Sequence, residues 1–365
     1  MVDLDFSHEE VERAARYHGP LYVAVAARFL LSALLYSLLA WTWIGDRLWD
    51  AVDGLGWAGA AAGFAAIVLV VVELVSLPLD FWRGFVYERR WGFSTQSARG
   101  WAADQAKGLA IAVVLGAGAW TVTVALGRAL PSWWWLPAAA ALALLVVLLS
   151  FVAPVVLEPL FNRFEPLADE RLADELRALA ADAGVPIRDV LVADASKRTT
   201  KSNAYVSGLG ATRRVVLWDT LLRSAGDREV KLVIAHELGH RRERHAAKLT
   251  LLFSVGGGVA VLVLRAVLGT PSPRDFPLAL LVFAGLEVLG LPLLSAVSRR
   301  YERVADRWSI VLTRDLPAFV EAHRSLAREN LSDLDPPRLA YLFLFTHPTP
   351  PERLAFGRSL TPDTM

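Results

Sequence analysis

Six blocks of about 20 apolar residues constrain this 365-residue chain more than any other feature of its sequence. A helix of that length crosses roughly 30 Å of hydrocarbon. A run such as LVVLLSFVAPVVL is too long and too uniformly apolar for a helix of a soluble protein. The fold predicted from these blocks is a multi-pass α-helical membrane protein. The blocks cover approximately residues 22–44, 57–79, 108–128, 133–155, 249–268 and 277–297.

Composition removes several classes of function. With 55% hydrophobic and 21% charged residues, the chain is far too apolar to be disordered. It contains no cysteine, which excludes a disulfide framework, a thiolate nucleophile and cysteine-bound metal. A net charge of +1 argues against a general nucleic-acid binder. The partners expected from composition are therefore membrane lipids rather than nucleic acid.

The basic residues predict how the chain lies in the membrane. Six spans put both termini on one side, and the loop at 80–107 on that side carries Arg83, Arg89, Arg90, Arg99 and Lys107. The loops on the other side hold fewer basic residues, which Asp side chains partly offset. The positive-inside rule then places both termini, and any site between them on that side, in the cytoplasm at the plasma (inner) membrane. Arg28 lies inside the first block, and we expect it to reach the head groups.

Residues 156–248 form the one sizeable polar region between spans. RLADELRALAADAG is typical of an amphipathic helix, and IRDVLVAD, NAYVSG and RRVVLWD of three short strands, the last two separated by the turn GLGATR. A helix is predicted over DREVKLVIAHELGHRRERHAAK. The chain thus divides into an N-terminal segment with four membrane helices (1–155), an inserted α+β domain (156–248), two membrane helices (249–297) and a C-terminal cytoplasmic segment (298–365).

The motif His236-Glu237-Leu238-Gly239-His240 carries the strongest chemical signal. Residues four apart share one face of a helix, so both imidazoles can bind one zinc ion. Glu237 stands beside the first ligand and is placed to accept a proton from a zinc-bound water. The competing interpretation is that the two histidines lie on the surface of a charged helix.

A catalytic zinc ion requires a third protein ligand. His245 follows His240 by five residues, which turns it away from the zinc-binding face of the helix. Glu302, on a polar helix that begins after the sixth block, is the best candidate, and two spans separate it from His240, so the chain returns to the same side. Asp306 lies four residues further on, where it can accept the second N–H of a ligand histidine. By spacing alone, a solvated helix face explains Glu302 and Asp306 equally well.

Together these motifs make the chain resemble the integral-membrane zinc CAAX prenyl proteases, whose protease domain is of the gluzincin type. The resemblance covers most of the chain and rests on YERRWGFSTQ, EPLFNRFEPL, SNAYVSG, HELGH, SRRYERVAD and THPTPPER, which occur in the family's order. It implies a water-filled chamber within a ring of membrane helices. Eukaryotic members have seven spans, so either one span is missing here or the N-terminal segment contains an interfacial helix.

The resemblance also implies roles for single residues. It makes His236, His240 and Glu302 the ligands of one Zn²⁺ ion and Glu237 the general base. His347 would stabilise the transition state, and Arg353 would support the site. The strand containing Asn203, Ala204 and Tyr205 would bind substrate in an extended form. Without the resemblance, the sequence favours a turn-forming role for Asn203 and a plain loop position for His347. His18 and His323 are predicted to lie on the surface.

The function predicted is that of a zinc metalloendopeptidase acting near the cytoplasmic face of the membrane. Its substrate would be a peptide or protein, lipidated or membrane-bound, and the resemblance implies CAAX-type processing of a C-terminus. One alternative is a membrane quality-control protease of the HtpX type. Another is a non-catalytic scaffold or transporter that keeps a zinc site, although such a protein would have no need of Glu237.

Overall fold

The secondary structure is almost entirely helical, in a computed structural model that describes residues 5–208 and 213–360. Its helices, in chain order, are α1 His8–Trp41, α2 Trp43–Trp49, α3 Gly56–Phe81, α4 Glu88–Arg90, α5 Ala98–Ala129, α6 Trp135–Val152, α7 Glu158–Phe161, α8 Glu170–Asp182, α9 Asp219–Ser224, α10 Asp227–Arg242, α11 His245–Leu268, α12 Phe276–Thr313, α13 Leu316–Glu329, α14 Arg338–Leu344 and α15 Pro350–Ser359. Among the described residues, six helical segments are long and apolar enough to cross a membrane, which confirms the six predicted spans.

The membrane helices pack around α3, whose small and apolar side chains form the centre of a buried cluster. Phe64, Ala65 and Val68 of α3 are fully buried there. At one end of the bundle, the indole of Trp134 donates to the carbonyl of Gly269 at 2.7 Å, and that of Trp120 donates to the carbonyl of Pro273 at 3.1 Å. These bonds satisfy buried Trp N–H groups and fix the connection between α11 and α12.

Helix α1 is joined to α3 by charged side chains rather than by apolar packing alone. Arg28 lies 3.5 Å from Glu73, between Nη2 and Oε2, and its Nε donates to Asp80 Oδ2 at 3.2 Å. Carboxylates on the neighbouring helix stabilise an arginine inside a span, and whether Arg28 also reaches the head groups stays a prediction.

A four-stranded sheet, in the order β1-β2-β4-β3, lies between the fourth and fifth membrane helices in the chain. Its strands are β1 Phe164–Pro166, β2 Asp189–Ala193, β3 Ala204–Ser207 and β4 Arg214–Trp218. β2 and β4 are parallel, whereas β1 and β3 pair antiparallel with their neighbours. Helices α8 and α10 cover the sheet with a buried apolar cluster that includes Leu176, Val215 and Ile234. The strand order leaves β3 at one edge of the sheet.

Several element boundaries differ from those predicted. The helix expected over 227–248 ends at Arg242, because Arg244 adopts a left-handed conformation (φ 56°) and α11 starts at the next residue. Glu302 does not begin a separate helix, since the sixth span and Glu302 belong to one helix, α12, of 38 residues. The 80–107 loop is largely helical, with helical turns as far as Arg90. The short strand β1 is not predicted, and residues 209–212 of the predicted turn between β3 and β4 lie outside the described residues.

The close approach of α10 to α12 depends on Gly239. A Cβ atom at this position would lie 2.8 Å from Trp308 Cβ and 3.2 Å from Ala305 Cα. Real Cβ atoms essentially never come as close as 2.8 Å to another atom, so any other residue would push the helices apart. Gly239 thus sets the distance between the helix of the HExxH motif and the helix of Glu302.

We therefore expect Gly239→Ala to destabilise the protein by about 1–3 kcal/mol, the usual effect of overpacking a tight contact. Thermal unfolding of the detergent-solubilised protein measures this. Gly290→Ala is the matched control, since Gly290 also lies in a helix but its added Cβ would meet no atom within 4 Å. The control should be neutral or slightly stabilising because alanine favours helix. Equal unfolding temperatures for the two variants would contradict the role given to Gly239.

Candidate metal and catalytic site

Three side chains from α10 and α12 converge on one point. His236 Nε2 and His240 Nε2 are 3.1 Å apart, His236 Nε2 lies 3.3 Å from Glu302 Oε2, and His240 Nε2 lies 3.2 Å from Glu302 Oε1. The histidines are neighbours because they are four residues apart on α10, and Glu302 meets them because α12 packs against that face. The sequence-based expectation that α11 and the membrane part of α12 return the chain to this side thus agrees with the geometry.

The geometry suits a tetrahedral metal ion. Ligand bonds of 2.0–2.2 Å imply ligand atoms about 3.3 Å apart, close to the three separations found here. Glu302 is only 4% exposed, and the nearest cationic groups to its buried Oε2 are His236 Nε2 at 3.3 Å and Arg353 Nη1 at 3.9 Å, neither in good hydrogen-bond geometry. A buried carboxylate oxygen without a hydrogen bond is unfavourable unless a cation satisfies it. Two imidazole nitrogens and one carboxylate therefore fit a metal ion.

Asp306 contacts the outer ring nitrogen of His236. Its Oδ1 lies 3.0 Å from His236 Nδ1, on the side of the ring opposite the converging Nε2. Arg353 of α15 donates from Nε to the other oxygen of Asp306 at 3.0 Å, and its Nη2 lies 3.2 Å from His236 Nδ1. Burial lowers the pKa of His236, but hydrogen bonds to Asp306 and Glu302 outweigh that effect and raise it to about 9. The surrounding carboxylates thus favour positive charge at this point, which a metal ion would supply.

The second histidine has a partner that the sequence analysis did not assign. His245 Nδ1 lies 3.0 Å from His240 Nδ1, and the buried His245 ring stacks on Tyr301 at 4.1 Å between centroids. The expectation that His245 points away from the metal is consistent with this position, because its contact is with the outer nitrogen of His240. The left-handed turn at Arg244 brings the ring back toward α10. Helical periodicity contains no signal for such a turn.

The converging side chains form one end of a cavity of about 630 Å³. Glu237 lines it beside His236 and Glu302, and His347 lines it from the segment before α15. The opposite wall belongs to the first membrane helix, through His18 and Tyr22. The cavity thus lies between the α+β domain and the membrane helices, where an extended peptide has access to the three converging side chains.

His347 is placed by a loop that α12 holds in position. Arg299 donates to the carbonyls of Tyr341 at 3.0 Å and Phe345 at 2.6 Å, which fixes the segment just before the histidine. The ring nitrogen Nδ1 lies 2.9 Å from Thr346 Oγ1, and Nε2 lies 3.4 Å from Glu302 Oε1. The His347 side chain is 60% exposed, so it faces the cavity and remains accessible to a substrate.

Of the three residues expected to bind substrate, the structure brings two to the cavity. Asn203 and Ala204 line it, at the start of the edge strand β3. Tyr205 is different: its hydroxyl donates to Glu158 Oε2 at 3.0 Å, and among the described residues it does not line this cavity.

Two histidines that were expected on the surface are part of the same cavity wall. His323 is 10% exposed, lines the cavity and lies 3.7 Å from Asp306, measured from Nε2 to Oδ1. Burial lowers its pKa well below the usual value, so the ring stays neutral. His18 Nε2 lies 2.8 Å from the carbonyl oxygen of Leu331. The surface predictions were wrong because both residues lie on helices whose partners are distant in sequence.

Comparisons with known proteins agree with the fold and the site. Residues 166–360 match the family model described as peptidase family M48, and residues 5–163 match one described as the CAAX prenyl protease N-terminal part with five membrane helices. Residues 5–163 are all described here, and four segments within them have the length and hydropathy of a span. The fourth includes α6 and α7 and extends to Phe161.

Individual proteins give the same result. The chain is 33% identical to the uncharacterized metalloprotease YhfN of Bacillus subtilis, over 80% of this chain and 72% of that protein. It is 28% identical to the CAAX prenyl protease 1 homolog of Oryza sativa subsp. japonica, over 96% and 87% of the two chains. The crystal structure of S. mikatae Ste24p matches with a TM-score of 0.83 and 25% identity, covering 96% of this chain and 89% of that one.

The site predicts that metal binding requires Glu302. We expect Glu302→Ala to weaken metal binding by about 100-fold or more, because changes outside the ligand set already weaken it by 10–100-fold. Metal content after dialysis of the purified protein measures the effect. Glu287→Ala is the matched control. It also removes a glutamate from α12, but one outside the converging group, so this variant should keep the metal. Full metal content in Glu302→Ala would overturn the assignment.

Proposed function

The chain belongs to peptidase family M48 and is a multi-pass membrane metalloprotease, and from this membership we propose that it is a zinc endopeptidase with His236, His240 and Glu302 as ligands. The observation that carries the proposal is the convergence of these three side chains at 3.1–3.3 Å beside a cavity that His236, Glu302 and Glu237 line. Imidazole nitrogens and a carboxylate in a tetrahedral arrangement with one open position are typical of catalytic zinc.

Bound zinc would polarise the scissile carbonyl and activate a water molecule for attack. Glu237 is the general base that accepts the proton of this water and then delivers it to the leaving amine. Burial raises the pKa of Glu237, so the carboxylate accepts a proton more readily than an exposed one. Asp306 and Arg353 keep the His236 ring in the orientation that directs Nε2 to the metal.

His347 and Asn203 act on the substrate itself. The Nδ1 atom of His347 faces Thr346, so its Nε2 is the atom that can donate to the carbonyl oxygen as negative charge develops there. In Asn203, the side-chain oxygen accepts from the Ala204 N–H at 2.9 Å, which leaves the amide Nδ2 to donate to the peptide backbone. Ala204 contributes its backbone to the same wall.

The substrate class we propose is a peptide or protein, lipidated or membrane-bound, cut by CAAX-type processing of its C-terminus. The relatives named CAAX prenyl proteases and the α1 wall of the cavity support this class. A quality-control protease would instead cut unmodified proteins, and a scaffold or transporter would cut none. The proposed location is the plasma (inner) membrane, with the site and both termini in the cytoplasm, because the basic residues of 80–107 lie on the side of the sheet.

The proposed mechanism predicts two different losses. In the zinc-loaded full-length protein, Glu237→Gln should retain metal and lose turnover, because the amide cannot accept the proton. His347→Ala should retain fold and metal and lose about 10²–10³-fold in kcat, the effect of one missing oxyanion donor. The measurements are metal content and steady-state cleavage of a farnesylated C-terminal peptide, with unlipidated β-casein as the second substrate.

Each result separates the candidates. Cleavage of β-casein but not of the farnesylated peptide would favour the quality-control role. Undiminished cleavage by Glu237→Gln would refute the proposed base. A rise in KM with unchanged kcat in His347→Ala would make His347 a substrate-binding residue, and no change in either would make it a plain loop histidine.

The orientation makes a separate prediction, for which the absence of cysteine is useful. Single cysteines can be introduced into a chain with no background thiol to remove. Thr270→Cys, in the exposed connection between α11 and α12, should react with a membrane-impermeant maleimide in intact cells. Ser359→Cys, at the exposed end of α15, should react only after permeabilisation. The reverse pattern would invert the proposed topology.

A further inference from the structure

The pairing of β3 with β4 determines which backbone groups of β3 face outward, away from the sheet. In the pairing of β3 with β4, Trp218 N–H donates to Asn203 C=O at 3.0 Å. Antiparallel pairs alternate, so Asn203, Tyr205 and Ser207 direct their backbone groups toward β4. The backbone groups of Ser202, Ala204 and Val206 therefore face outward, and these are the positions at which an added strand would pair.

Asn330 occupies the first of these positions completely. Its Oδ1 accepts from the Ser202 N–H at 3.0 Å, and its Nδ2 donates to the Ser202 C=O at 3.1 Å. One carboxamide thus makes both hydrogen bonds that a residue of a paired strand would make. Asn330 directly follows α13, and Leu331 after it adopts a left-handed conformation (φ 50°) that turns the chain away.

The other two positions are partly occupied as well. Arg241 of α10 donates from Nε to the Val206 C=O at 3.0 Å. At Ala204, the N–H donates to the side-chain oxygen of Asn203. The Ala204 C=O takes part in none of the hydrogen bonds given by residues 5–208 and 213–360. An incoming peptide therefore meets one central pairing position, at Ala204, with occupied groups on both sides.

We propose that Asn330 is a specificity-determining residue that ends the substrate-binding edge of β3 and so fixes which peptide bond lies at the metal. The proposal rests on the proposed peptidase function. A peptide that pairs at Ala204 cannot slide toward Ser202, because the side chain of Asn330 already makes those hydrogen bonds. Register matters because a strand that slips by two residues presents the same face with a different bond at the site.

Neighbouring contacts indicate that Asn330 acts on the edge itself. Glu329 also contacts Ser202, but through the hydroxyl, with 3.0 Å between Ser202 Oγ and Glu329 Oε2. The Ser224 hydroxyl donates to the same carboxylate at 2.9 Å. These bonds hold the segment in place without occupying the backbone edge. Glu329 therefore provides a control that perturbs the same residue but leaves the pairing positions unchanged.

The experiment maps cleavage positions in a farnesylated peptide whose sequence on the carboxyl side of the lipidated residue repeats every two residues. Equivalent bonds then recur along the peptide, so residue identity cannot select among them and the register on β3 decides which bond is cut. In the zinc-loaded protein, wild type should cut one bond. Asn330→Ala should also cut the equivalent bond about two residues away, with kcat/KM at the original bond reduced about tenfold. Mass spectrometry of the products measures both.

Two further variants make the result decisive. Asn330→Asp still accepts from the Ser202 N–H but cannot donate to its C=O, so it should give the same second product if Asn330→Ala does not fold. Glu329→Gln should leave the cleavage position unchanged. A slower Asn330 variant with the wild-type cleavage position would show a purely structural role and overturn the proposal. Failure of wild type to cut any peptide would overturn the peptidase function together with it.

Discussion

The close packing of α10 on α12 is the contact on which the rest of the site depends. The two histidines of α10 would form an incomplete ligand set by themselves, and Glu302 completes it only because Gly239 lets the helices approach within van der Waals contact. The same contact brings Asp306 behind His236. A metal ion bound between the helices would in turn offset the repulsion and desolvation of the charged groups buried there.

The buried charges around this contact form one connected set rather than separate pairs. Asp306 is fully buried and shared by His236 and Arg353, with His323 close by. Arg353 belongs to α15, near the end of the described chain, so the last helix is tied to the first metal ligand. Removal of any member would leave another charged or polar group buried without a partner, which is strongly unfavourable. The set therefore rigidifies the first ligand while it orients it.

The membrane helices contribute more than an anchor. The first of them lines the cavity through His18 and Tyr22, and Arg28 holds it to α3 through two carboxylates. On the other side of the cavity, the outer edge of β3 is limited by Asn330 and Arg241. In the proposed function, a substrate would lie between a membrane helix and a short strand edge. This arrangement suits a peptide held near the bilayer and cut at a defined position.

The sequence by itself determined the number of spans, the α+β insertion and the positions of the HExxH motif, because hydropathy and helical spacing are local properties. It also identified Glu302 and Asp306, but their spacing fits a solvated helix face as well as it fits a metal site. Only the tertiary structure decided between them, since the distance from His240 to Glu302 depends on how α10 packs on α12. His245, His323 and Asn330 were missed for the same reason: their roles depend on a left-handed turn and on contacts between segments far apart in the chain. No local pattern encodes such contacts.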